Sequence, residues 1–167
     1  MKTTFRIIDA WINQPATVSL PHLPEEIRLI VHKITPMTDQ KEALRYTYNI
    51  LTKKYRGFRL LTFLRLDRLC MTDLATLWKI NGFLHCHQMN YLLCTILRAS
   101  KQFAPEDITT HWTHIWFVSP HQYLSFRLRN KETLSIDLWA KAYGVPFGDY
   151  AHGFNAGSIL APSPIKH

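Results

Sequence analysis

The sequence predicts an α+β domain: N-terminal helices, the last of them carrying a cysteine, packed on a small antiparallel β-sheet. Three observations carry this expectation. Apolar residues recur at three- and four-residue spacing through much of residues 25–100. Thr, Trp, Ile, Phe and Val then dominate from Ile108 to Val118. Two alternating runs follow, His121–Leu128 and Leu134–Leu138, as strands with one buried face require.

A chain of 167 residues fits one domain, 1–167, and its 47% hydrophobic content is enough for a sizeable core. Residues 155–167 read as a flexible tail. Twenty Lys and Arg against twelve Asp and Glu give a net charge of +8. That balance admits nucleic acid, an anionic membrane or an acidic substrate as a partner, and equally a solvated basic face. Three cysteines, Cys70, Cys86 and Cys94, form neither a disulfide framework nor a CxxC metal motif. A reducing, cytoplasmic location is the simplest expectation. Met1–Ala10 lacks a signal-peptide core, and no run reaches the roughly 18–20 apolar residues of a membrane span.

The elements follow in order. Phe5, Ile7, Ile8, Trp11 and Ile12 can pack on a neighbour, and Leu20–Pro24 is a loop. Pro24, then Glu25 and Glu26, suit the first turn of a helix carrying Ile27, Ile30, Val31 and Ile34. Thr38 is a candidate cap for the next helix, with Asp39 in its first turn and Ala43, Leu44, Thr47, Tyr48 and Leu51 on its apolar side. Gly57 reads as its stop signal. Residues 58–69 are ambiguous between an extended segment and a helix. Thr72 or Asp73 can cap a short helix bearing Leu74, Leu77 and Trp78, which Asn81-Gly82 ends. Met89, Leu92, Leu93, Ile96 and Leu97 then mark a mostly buried helix from Cys86 to about Ser100. Beyond it, Ser119-Pro120 reads as a turn and Asn130-Lys-Glu as a hairpin turn. The segment from Tyr143 to Phe154 should be irregular.

Cys86 falls at the first turn of its helix, where unpaired N–H groups and the positive dipole end favour a thiolate. A thiol nucleophile also needs a base and a group to orient it. With a short turn near Asn130, His121 lies opposite about residue 139, and Asp137 becomes its diagonal neighbour, roughly 7–8 Å away between Cα atoms. His85 and His87 flank the cysteine and are alternative imidazoles. Cys94 follows the core pattern and reads as a buried small hydrophobe, as does Cys70.

This order, a cysteine opening a helix, a histidine 35 positions on in one strand and an aspartate 16 further in the next, resembles the transglutaminase-like superfamily of papain-type cysteine hydrolases. The resemblance covers residues 38–140. It includes Gly82, Cys86 and the helix ending in Leu97-Arg98, and the preceding helix 39–51 leading to Tyr55. It implies a transglutaminase-like, papain-like core with Cys86 as nucleophile, His121 as general base and Asp137 as the residue that orients it. The implied chemistry is hydrolysis or acyl transfer on a peptide, amide or ester through a thioester, without a cofactor. Cys86 N–H is one candidate oxyanion donor, and Trp78 and the Gln88 side chain are candidates for a second.

The other readings are separate. The nine histidines invite a metal site, but His85-Cys86-His87 and His111-Trp-Thr-His114 lack the separated pairs that zinc sites use, so no metal is expected. His111 and His114 read as partly exposed strand residues. The segment Lys53-Lys-Tyr-Arg-Gly-Phe-Arg to Arg68 interleaves cations with aromatics and could hold nucleic acid, a less favoured partner. The alternative to an enzyme is a non-catalytic relative that binds a protein or nucleic acid. The substrate and oligomeric state are not legible.

Overall fold

A computed structural model of the chain describes residues 23–115 and 119–153. The expectations for the first 22 residues and for the 155–167 tail lie outside the described residues. The described part is mixed α+β. Helices α1 (Glu25–Ile34) and α2 (Gln40–Lys54) lead to a two-residue strand β1 (Tyr55–Arg56) and the short helix α3 (Arg59–Leu64). A 3-10 turn at Leu66–Arg68, helix α4 (Leu74–Lys79) and strand β2 (Gly82–Phe83) precede the long helix α5 (Cys86–Ala99). Strands β3 (Ile108–Ile115), β4 (Ser119–Arg127) and β5 (Thr133–Ile136) form an antiparallel sheet in that order, and a 3-10 helix follows at Trp139–Tyr143. No helix among the described residues is long and apolar enough to cross a membrane.

Helix α5 is the centre of the core. It packs against α1 and α2 and against β4 of the sheet. Its predicted stripe, Met89, Leu92, Leu93, Ile96 and Leu97, is fully buried. Burial stabilises by about 1.5–3 kcal/mol for each side chain of this size. The helix ends without glycine. Gln102 N–H bonds Leu97 O (3.2 Å) and Lys101 N–H bonds Arg98 O (2.9 Å), with Lys101 in the left-handed region at φ 59°. The Gln102 side chain then donates to Ile34 O and Met37 O, both at 2.8 Å, fixing the end of α1 to the end of α5.

Several local expectations are corrected. The cap of α2 is Asp39 rather than Thr38, because the Asp39 carboxylate accepts from Lys41 N (2.8 Å) and Glu42 N (3.3 Å). Asp73 caps α4 by accepting from Thr76 N at 2.7 Å. Residues 58–69 are largely helical, yet Leu60, Phe63, Leu64 and Leu66 are exposed. Cys70 is exposed, not a core residue. Ser119 and Pro120 lie within β4, opposite Ile115 and His114, rather than in a turn. Leu124, Phe126 and Leu128 are buried as their alternation predicts. His111 is half-buried and His114 exposed, in β3.

The β1–β2 pairing leaves no pattern in the sequence. Tyr55 pairs with Gly82 and Arg56 with Phe83 in parallel, which fixes the end of α2 beside the approach to Cys86. Gly57 does not stop α2, which already ends at Lys54; it admits an indole. A Cβ there would overlap the Trp139 ring and its carbonyl oxygen. Gly57→Ala should therefore lower stability by about 1–3 kcal/mol, the usual range for overpacking, read as a lowered thermal midpoint.

Candidate active site

Asp137 follows the last residue of β5, where the chain leaves the sheet. The register Arg127↔Thr133 through Leu124↔Ile136 is the one the hairpin arithmetic predicts, and pairing ends there, so Asp137 meets His121 from just past the strand end. His121 and Asp137 are 2% and 1% exposed, and the His121 Nε2–H donates to Asp137 Oδ2 at 2.6 Å. Two backbone groups complete the carboxylate's shell. Ala140 N–H donates to Oδ1 (2.9 Å) and Ala151 N–H to Oδ2 (3.0 Å). Burying a carboxylate is tolerable only with such donors.

With Nε2 given to Asp137, Nδ1 is the ring nitrogen left for Cys86, whose thiol the His121 ring stabilises in its ionised form. The facing is set by α5. Asn90 lies one turn after Cys86 on the same helix face. Its amide donates to Gln122 O (3.2 Å) and Gln122 Oε1 (3.1 Å), tying α5 to the residue next to His121. The His121 ring is also flanked by aromatics: Trp139 at 5.2 Å between centroids, Tyr143 stacked on Trp139 at 5.0 Å, and the Arg59 guanidinium 5.0 Å above Tyr143. Arg59 N–H donates to the Tyr143 hydroxyl at 2.9 Å. Tyr48 is buried nearby, and its phenol is pushed up by burial and by the Asp137 charge.

The electrostatics favour an ion pair. Burial alone pushes the Cys86 thiol up, but hydrogen bonds to His121 and His87 and the attraction of those rings outweigh it and bring the thiol down to about 6. Burial alone pushes His121 down. The charge and hydrogen bond of Asp137, followed by Cys86, outweigh it and hold the imidazole well above its ordinary range. Cys86 is half-buried, whereas Cys94 is buried and its thiol is pushed up to about 12 by burial. The two thiols of α5 are therefore shifted in opposite directions, Cys86 down and Cys94 up.

His85, His87 and Gln88 have a different task. Their side chains hold the loop that connects α3 to α4. His85 Nε2–H donates to Arg65 O and His87 Nε2–H to Leu69 O, each at 2.9 Å. The Gln88 amide donates to Arg68 O (2.7 Å) and Met71 O (3.2 Å), and its Oε1 accepts from His85 N (3.2 Å). Gln88 is thus occupied and is not a free oxyanion donor. Trp78 packs on Tyr55 and beneath Lys54. Burial pushes the His85 imidazole down, against its bond to Arg65 O. His87 also favours the thiolate, so two imidazoles act on Cys86, but among the described residues only His121 is paired with a carboxylate. Cys86 N–H occupies the first helical position, where the helix itself supplies no acceptor.

No group of three or more His, Cys, Asp or Glu side chains with metal-binding geometry occurs among the described residues. In comparisons with family models, curated proteins and solved structures, nothing matches this chain.

Proposed function

We propose that the chain is a transglutaminase-like cysteine enzyme that transfers an acyl group from an amide or ester to water or an amine. The observation that supports it best is the array Cys86–His121–Asp137, assembled from a helix start, a strand and a strand end. The Cys86 sulfur attacks the carbonyl carbon; an S–C bond forms and the carbonyl π pair moves to oxygen. Cys86 N–H, at the first helical position, supports a role as donor to that oxyanion, a contribution typically worth about 3–4 kcal/mol in a transition state. Collapse breaks the bond to the leaving group, which takes the proton from His121 Nδ1. A thioester and a neutral imidazole remain. His121 then takes a proton from water or an amine, which attacks the thioester and releases the acyl product and the Cys86 thiolate. Asp137 fixes the ring and stabilises the imidazolium throughout.

The reading expects acylation to rise with pH through about 6, as the thiol ionises, and to fall again when the raised His121 loses its proton. p-Nitrophenyl acetate should leave an acetyl group on Cys86, detected by peptide mass spectrometry and removed faster when hydroxylamine is added. Acetylation confined to Cys70, or none that exceeds the rate at a free thiol, contradicts the reading.

A further inference from the structure

A cavity of about 280 Å³ lies outside the array and is lined by Thr52, Lys53, Lys54, Arg56, Gly82 and Lys141, among others. Its lining holds four cations and no acid. Lys54 is committed: its ammonium donates to Asn81 Oδ1 at 2.9 Å and lies 5.0 Å over the Trp78 ring. Lys53, Arg56 and Lys141 are exposed, and among the described residues none of them is in an ion pair. A concavity lined by one sign of charge focuses the field and raises the local concentration of the opposite ion.

Two of the lining residues are joined to the reacting residues by short stretches of chain. Gly82 is four residues before Cys86, so their Cα atoms are at most about 14 Å apart. Lys141 follows Trp139 by two residues in one 3-10 helix, a rise of about 4 Å, and the Trp139 ring is 5.2 Å from His121. The β1–β2 pairing holds the two sides together, with Arg56 on β1 and Gly82 on β2.

We infer that this cavity is an anion subsite that takes a carboxylate or phosphate group of the substrate that acylates Cys86. The inference rests on the acyl-transfer reading for the substrate's reaction, but not for anion binding. The cations fix the far end of the substrate while its carbonyl reaches the sulfur. Strong salt dependence follows, because Lys53, Arg56 and Lys141 are exposed.

Two measurements test it. In the first, inorganic phosphate and glutarate are titrated separately by NMR into the wild-type chain and an Arg56→Glu/Lys141→Glu variant. Shifts centred on the cavity, absent from the variant, are expected for at least one anion, and the stronger of the two identifies the preferred group. No binding by the wild type, or equal binding by a folded variant, overturns the subsite. In the second, p-nitrophenyl esters of glutarate, adipate and suberate are compared with their methyl-capped counterparts. At the best length the charged ester should acylate Cys86 about 10-fold faster, and the charged-to-capped ratio should fall to about one in the variant. Anion binding without acylation by any ester leaves the subsite standing and removes the enzyme reading. Anion binding with equal rates for charged and capped esters overturns the assignment of the cavity to the substrate.

Discussion

Asp137→Ala should destabilise the fold by about 3–5 kcal/mol and abolish the low-pH reactivity of Cys86, because it breaks a buried ion pair from one side. Three donors lose their acceptor at once: His121 Nε2–H, Ala140 N–H and Ala151 N–H. Without the carboxylate, burial dominates His121 and drives its imidazole down, so the ring no longer holds a proton for the thiolate. Asp137→Asn separates the two effects. Its amide oxygen can still accept N–H groups and recover part of the stability, whereas the negative charge is gone. Chemical denaturation reads the first effect, and alkylation of Cys86 at pH 6 reads the second. An Asn variant with wild-type alkylation would show that the charge of Asp137 does not set the thiol.

His121→Ala should reduce acyl transfer by about 10³-fold or more, the scale on which loss of a nucleophile's base acts. The same change leaves burial, which raises the Cys86 thiol, opposed only by His87. Alkylation at pH 6 should fall accordingly. His87→Ala provides the comparison. It removes one of the two imidazoles that lower the thiol and the bond to Leu69 O, but leaves the His121–Asp137 pair. If the two alanine variants lose the same activity, His121 is not the dedicated base.

The His121–Asp137 pair was readable from the sequence because antiparallel pairing is arithmetic, whereas its link to Cys86 came from the family resemblance. A hairpin turn near Asn130 fixes which residue past β5 meets His121, and the acid in Ser-Ile-Asp-Leu-Trp required a partner in an apolar strand. The helices were readable for the same kind of reason: Met89 to Leu97 repeats with the helical period. What escaped depends on backbone groups and distant returns. Ala151 donates through its N–H, which leaves no trace in side-chain identity. The acceptors of His85, His87 and Gln88 are carbonyls of Arg65, Leu69, Arg68 and Met71, so those side chains read as spare bases or oxyanion donors when they are fasteners. Cys70 is expected as a buried small hydrophobe like Cys94, but it lies exposed just after a helix and turn whose Leu60, Phe63, Leu64 and Leu66 are also exposed. The two-residue β1–β2 pairing is too short to produce a period.

The most direct test is the rate of iodoacetamide alkylation at Cys86 as a function of pH, resolved by peptide mass spectrometry, with the exposed Cys70 as reference and the buried Cys94 as blank. The account predicts a Cys86 rate that is half-maximal near pH 6 and nearly constant above it, modification ahead of Cys70 at pH 6, and loss of that low-pH reaction in His121→Ala. A Cys86 rate that climbs only above about pH 8, as a free thiol's does, unchanged by His121→Ala, would contradict it.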